Sequence, residues 1–433
     1  MYNARMNNLI KTDTVRERFL QPMLEAFEQC ELTRNCSEYS DRDHLMSGVQ
    51  RVIQNHRSGR AWIQHCQLVL GIFAGVAVFF QALKSKRRME MVVDVAERVR
   101  LECSCRYAGN PEHDPLAQHP ELDRFSVYAS DGHTHAAASH DKPVGGKIRP
   151  VNHIYSLCLR THFMAHIDLT QPAKGKKKEH EISTLKRVGA KALRMREKTG
   201  TKVVHVYDPA IVDYQQWHRW KQGSGIYIIT MEKSNSAFTS VKEREFDAGD
   251  KRNTGIVSDE IVLTSKGGRL RRIRYVDPET GKHFSFIANE FSLPPGLIAF
   301  LYKLRWDVEK TFDQVKNLFC EKKAWAGSAE AKCQQAAFIT IAHNLTLMLE
   351  REIKTDEGIE DIKTMKRKAR RIAQARAKSE AAGVKFNPLV EGVRRVSKRS
   401  AQFIRWLQSS LEHRTCWEHA IKQLRPLMEE YLS

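Results

Sequence analysis

Tyr302, Arg305, Glu309 and Lys316 are spaced so that one α-helix would carry all four on a single stripe, at steps of three, four and seven residues. A core-facing stripe would be apolar; this one sets a carboxylate between two cations. That combination suits a place where a metal ion meets a phosphodiester, with Glu309 ligating the metal and Arg305 and Lys316 holding phosphate oxygens. Tyr302 would then donate its hydroxyl to phosphate or stack on a base. The same residues also read as an ordinary solvated helix face, on which Arg305 does no more than pair with Glu309 one turn away.

The neighbourhood favours the first reading. Phe284-Ser-Phe-Ile-Ala-Asn-Glu290, Leu293-Pro-Pro, Ile298, the run Tyr302-Lys-Leu-Arg305-Trp306 and, further on, Asn344-Leu345 surround a Tyr-x2-Arg-x3-Glu-x6-Lys pattern. Together they resemble the signature region of bacterial insertion-sequence transposases of the insertion-sequence-four type. The resemblance spans residues from about 45 to 350 and is strongest from 284 to 320. It implies an α/β fold whose ribonuclease-H-like catalytic core is interrupted by a β-rich insertion, and a DDE active site in which two aspartates join Glu309.

Asp131, in Ser126-Val-Tyr-Ala-Ser-Asp131-Gly-His-Thr134, fits the first aspartate at the end of an alternating strand, although an aspartate ahead of Gly132 also reads as a turn residue. Asp208, after Val203-Val-His-Val-Tyr207, fits the second, and Gly225-Ile-Tyr-Ile-Ile-Thr230 resembles the strand that follows it in the family. Family members usually continue from this aspartate with Arg and an acidic residue. Here Pro209 and Ala210 follow, which leaves Asp213 as an alternative, itself readable as a helix-terminal charge. Lys233 stands where the family tends to carry a basic residue and reads as a DNA-phosphate contact or as a plain surface lysine.

Three carboxylates meeting at one point repel unless cations share the site, and oxygen ligands select Mg2+ or Mn2+ over softer metals. Two ions about 3.5–4 Å apart would serve the attacking and leaving oxygens of an in-line displacement. The resemblance therefore implies metal-dependent cleavage at transposon ends, then attack of the freed 3′-hydroxyl on target DNA. The partners would be terminal inverted repeats, target DNA and a second copy of the chain bridging two ends. Excision through a DNA hairpin is left open, because residues 226–288 contain no Trp to hold a flipped base; Tyr227, Tyr275 or Phe284 would have to serve. A nuclease or recombinase on the same core that never rejoins, and a non-catalytic DNA-binding derivative, remain the alternatives.

The elements that must position these residues follow from pattern. Helical spacing of Leu45, Val49, Val52, Ile53, Ile63, Leu68 and Ile72 predicts an all-helical domain over residues 1–110, the candidate reader of DNA ends because a helix fits the major groove. Pro111, Pro115 and Pro120 mark a boundary or exposed loop. Core strands and a helix from Glu181 to Lys198 fill 111–225, and strands near 261–263, 271–276 and 283–288 make a β-rich insertion over 226–288. Pro294 and Pro295 then start one long helix through Ile298, Leu301, Leu304, Val308 and Phe312, in a second core part over 289–350. The remainder, 351–433, reads as a basic helical region: Lys363 to Arg399 holds 13 Lys or Arg against Glu380 and Glu391.

A chain of 433 residues with a net charge of +20 is expected to have two or three cores and a polyanion as its first partner. The longest apolar run, Leu68 to Phe80, is 13 residues, too short to span a bilayer, and reads as a buried helix. Met1 to Leu20 has no apolar signal region, so a cytoplasmic, nucleoid-associated protein is expected. The nine Cys, including Cys30, Cys36, Cys103 and Cys105, lack paired zinc spacing and read as reduced and mostly structural. His133, His135 and His140 read as loop histidines rather than zinc ligands.

Overall fold

A computed structural model describes residues 13–34, 38–56, 58–141, 143, 146, 148, 150–171, 179–278, 280–319, 323–383 and 401–429, without the side chains of 363, 364, 367 and 368. The basic loop at 174–178, the tail from 384 to 400, Cys36 and Cys320 lie outside them. Among the described residues nine strands form one sheet: β1 Phe125–His135, β2 Val151–Cys158, β3 Met164–Leu169, β4 Lys202–Val206, β5 Ile226–Met231, β6 Phe238–Glu243, β7 Ile256–Thr264, β8 Arg269–Val276 and β9 His283–Ala288. Their order is β3-β2-β1-β4-β5-β9-β8-β7-β6. β1, β4 and β5 run parallel to one another and occupy its middle.

Burial explains the texture of the central strands. Val203, Val204, His205 and Val206 are all buried, so β4 is buried along its length and does not alternate, as a strand covered on both faces must. One face carries Val127, Ala129, Val204, Val206 and Ile229 in a large apolar cluster; the other carries Tyr128, Ile154, Val203, Ile226 and Ile228 in a smaller one. Helices α6 Glu181–Leu193 and α7 Tyr214–Ser224 close the smaller side through Leu185, Leu193, Trp217 and Trp220.

The other side is closed by α1 Val15–Glu28, α2 Asp41–Ile53, α3 Gly59–His65, α4 Val76–Lys84, α5 Lys86–Tyr107, α8 Pro295–Leu304, α9 Trp306–Leu318 and α10 Ala329–Glu357. After α11 Ile362–Ala381, α12 Ala401–Glu412 and α13 Trp417–Glu429 return to this layer, burying Phe403, Ile404, Trp406 and Leu407. Trp417 N–H donates to Asp13 O, which ties the last helix to the start of α1. Thr14 with Glu17, and Ser40 with Asp43, form capping boxes that start α1 and α2.

Several expectations change. The long helix breaks at Arg305 into α8 and α9, where Arg305 N–H bonds back to Tyr302 O and Val308 N–H to Arg305 O, three residues earlier in each case. The bend lets α8 cover β5, β7, β8 and β9 while α9 covers β1 and β2; a straight rod would leave one half bare. Leu68–Phe80 is no single buried helix: it passes through a π-turn ending at Leu70, a left-handed Gly71 and an extended stretch before α4, leaving Leu68 86% and Phe73 71% exposed. The proline-punctuated stretch is tied down, with Asp114 buried and accepting from Arg160 and from the Gly109 and Leu116 amides. The Glu181 helix stops at Leu193, short of Lys198. β6 was not expected, because an edge strand exposed along most of its length shows no apolar alternation. Strands β6 to β9 extend the same sheet, β9 pairing directly with β5.

Three polar anchors hold the site's supports. Asn344 of α10 accepts from Met164 N–H at 2.8 Å and donates to Met164 O at 3.0 Å, satisfying the edge strand β3. Asn289 accepts from Ile228 N–H and donates to Trp217 O, joining β5 to α7. Gly296 lets α8 begin: a Cβ there would lie 1.9 Å from Arg252 O.

Candidate active site

Asp131 and Asp208 stand two residues beyond the paired Ala129 and Val206, so neighbouring parallel strands deliver both to one end and one face. Asp131 is not the end of its strand, because β1 runs on to His135. Asp208 lies just past β4 in an Asx turn, its Oδ1 accepting from Ala210 N–H at 2.6 Å. Pro209 has no N–H to offer, so the amide of Ala210 is the first available.

Arg305, at the α8–α9 break and 6% exposed, links the elements. Its Nη1 donates to Asp131 Oδ2 at 3.2 Å and its Nη2 to Glu309 Oε1 at 2.7 Å. Arg305 therefore makes the ion pair with Glu309 one turn away and, in the same geometry, a second with an aspartate 174 positions away. Its Nε is buried and has no hydrogen-bond partner among the described residues. Burial disfavours the guanidinium charge, but Glu309, then Tyr302 and Asp131, outweigh it and hold its pKa above the usual value.

Burial pushes the Asp131 carboxyl up to about 6; the Gly132 amide and Arg305 oppose this, while Glu181 and Asp208 add to it. Tyr302 is buried against Phe286, ring centroids 5.1 Å apart, and its hydroxyl pKa is raised by burial. Lys316 is exposed in the last turn of α9. Lys233 follows β5 at the same sheet end as Asp208 and is partly buried. Asp213 caps α7, accepting from Gln216 N–H, and pairs with Lys186, so it serves as the helix-terminal charge.

The histidines are placed differently from expectation. His133 and His135 lie in β1 and not in a loop; His133 packs tilted against Phe312, ring centroids 4.7 Å apart, and His135 tilted against His153 at 4.2 Å. His153 Nδ1 and His166 Nε2 are 3.1 Å apart, and burial lowers both pKa values. His140 is exposed in the following turn. Tyr275, Phe284 and Phe286 form a ladder toward Tyr302, whereas Tyr227 packs near Phe125, at the other end of β1 from Asp131.

Sequence spacing missed two supports. His162 Nε2 and Asp307 Oδ2, 3.1 Å apart, pin the first turn of α9 to the β2–β3 turn. Burial would raise the Asp307 carboxyl, but His162 and Lys310 outweigh it and hold it below the usual range. The other support is Glu181, whose charge bears on Asp131 more than that of Asp208 does. Neither has a spacing signal, because each partner comes from a different element.

Among the described residues no three His, Cys, Asp or Glu side chains converge closely enough to hold a metal ion as they stand. The donor set nevertheless fits a divalent cation in kind: Asp131 and Glu309 already share one cationic group, the Arg305 guanidinium, and Asp208 bears on the same carboxyl. All three donors are hard oxygens.

The arrangement is a carboxylate site at the end of parallel strands, bridged by an arginine and covered by a helix. Residues 124–345, just over half of the chain, match the family described as transposase DDE domain, and the chain belongs to that family. It is a transposase and acts on DNA. No curated protein matches the chain. No helix among the described residues is long and apolar enough to cross a membrane.

Proposed function

We propose that this transposase catalyses cut-and-paste transposition through Asp131, Asp208 and Glu309 on a ribonuclease-H-like core, in the manner of the insertion-sequence-four type. The observation that carries this reading is Arg305 held between Asp131 and Glu309, with a buried, unpartnered Nε. Asp131, Asp208 and Glu309 would hold Mg2+ or Mn2+, which supplies Lewis-acid activation of the attacking and leaving oxygens. Arg305, moving from carboxylates to phosphate, holds the scissile phosphodiester by its planar fork. Tyr302, with its ring packed on Phe286, meets phosphate through its hydroxyl instead of stacking on a base.

Lys316 and Lys233 contact DNA phosphates farther along. The helices of residues 1–110 read the terminal repeats, residues 111–225 and 289–350 form the core, 226–288 the insertion, and 351–433 adds basic contacts. Two copies bridge two ends.

The test is a labelled duplex carrying the element's own terminal repeat, incubated with Mg2+ or EDTA and with wild-type or Glu309→Ala protein. Metal-dependent terminal cleavage followed by joined product, lost in the variant, supports the reading. Cleavage without joining points to a nuclease. Binding without cleavage in either protein, where a related transposase cuts, rejects it in favour of a DNA-binding derivative.

A further inference from the structure

Leu68 is 86% and Phe73 71% exposed, and Val76 and Val78, in the first turn of α4, are exposed after them. Large apolar side chains left open together in one segment mark a contact surface. The segment is held in shape. Ile72 N–H donates to Cys66 O at 3.0 Å, Gln67 Nε2 donates to Ala74 O at 3.2 Å, and Ile72 and Ala74 are buried. The chain thus closes on itself around two buried anchors, and Phe73 between them is held out.

Two arginines from other parts of the chain stand at this loop. Arg414, exposed in the turn between α12 and α13, donates from Nη2 to Val69 O at 2.7 Å. Arg16 of α1 donates to Leu411 O at 2.8 Å, while its Nε is buried with no hydrogen-bond partner among the described residues. Burial, and then the charge of Arg414, lower the Arg16 pKa to about 10. Arg16 also bears on His65 of α3, where Glu412 opposes it. This pair is short of negative charge, and a phosphate matches its planar forks. From His44 to Met89 the sequence holds seven Lys or Arg and no Asp or Glu, and Arg60 and Lys84, in the helices on either side of the loop, are exposed. A second copy meeting this face would set cations against cations, whereas a nucleic-acid backbone complements them. Gln408 of α12 donates to Ile53 O at 2.6 Å and to Leu318 O at 3.1 Å, so the helix leading to Arg414 is fastened to the end of α9, which carries Glu309 and Lys316.

We infer that this loop is a DNA contact, in which Arg16 and Arg414 hold a backbone phosphate while Leu68 and Phe73 enter the minor groove and part a base step. Apolar wedges unstack bases where cations beside them grip the duplex. This rests on the reading that residues 1–110 meet the DNA end, to which it adds a loop in the minor groove, and it makes no use of the three carboxylates.

Binding of a terminal-repeat duplex to the full chain would be measured in EDTA over a range of salt, with a fluorescent base analogue at successive positions to report unstacking. The variants are the double Leu68→Ser, Phe73→Ser and the single Arg414→Gln. The double variant alters only exposed side chains, so its thermal midpoint should stay in place. It is expected to bind at least about tenfold more weakly at an unchanged salt slope and to lose the unstacking signal. Arg414→Gln should lower the slope of log Kd against log salt by about one. Hydrogen exchange of the wild-type complex separates the two levels. Protection within residues 13–110 that spares 66–78, with both variants binding as wild type, overturns the role of the loop alone. No protection anywhere in 13–110 overturns the reading on which it rests. A wild-type dimer without DNA that the double variant dissolves assigns the face to a second copy and overturns the inference. So does flotation with phosphatidylglycerol vesicles that the double variant loses while its DNA binding stays intact.

Discussion

At Arg305 two guanidinium nitrogens serve two carboxylates from different elements, and the third nitrogen is buried without a partner. A lysine ammonium is a point charge without that fork and cannot reproduce both bonds and present a further donor. Arg305→Lys is expected to slow single-turnover cleavage by about a hundredfold, roughly 2.7 kcal/mol of transition-state stabilisation. Near-wild-type cleavage in that variant would reduce Arg305 to a structural ion pair.

Among elements, α10 matters most to the site's support although it carries none of the proposed catalytic groups. It lies across α5, α2 and β3, and Asn344 completes the hydrogen bonding of the sheet's edge strand from its midst. Asn344→Ala would strand two buried backbone groups of Met164 and lower stability by about 2–4 kcal/mol, read as a shift in urea midpoint at unchanged slope. A shift under about 0.5 kcal/mol would mean that water or a backbone adjustment replaces the amide. The α8–α9 break is another element-scale device. It turns one apolar helix into two that cover different halves of the sheet, and in doing so brings Arg305 to the bend.

Across the whole molecule, charge and buried histidine set two behaviours. With a net charge of +20, binding to a terminal-repeat duplex should fall at least about a thousandfold between roughly 50 and 200 mM salt if six or more phosphates are contacted. A flat salt response would mean that few of these charges face DNA. His44, His166 and His205 have pKa values lowered to about 4, first by burial. The unfolded chain takes up these protons near 6.5, so between 6.5 and 4 only the unfolded state binds them. Stability should therefore decline by several kcal/mol as pH falls through that window and be insensitive to these groups above it. Thermal midpoints from pH 8 to 4 check this; a flat profile would show the histidines already protonated in the fold.

The sequence by itself determined the local patterns: the pairing of Arg305 with Glu309 one turn on, the central strands leading to Asp131 and Asp208, and most helices of the apolar layer. These depend on short-range periodicity and turn chemistry, which a linear reading contains. Tertiary structure alone decided that Leu68 and Phe73 lie exposed, that β6 joins the sheet edge, and that the first and last helices share one layer. It alone decided, too, that Arg305 reaches Asp131 and that Arg414 meets the loop at Val69. Each of these depends on which surfaces meet at long sequence separation or on an element whose own pattern is weak. Contact between distant side chains leaves no spacing in the chain to read.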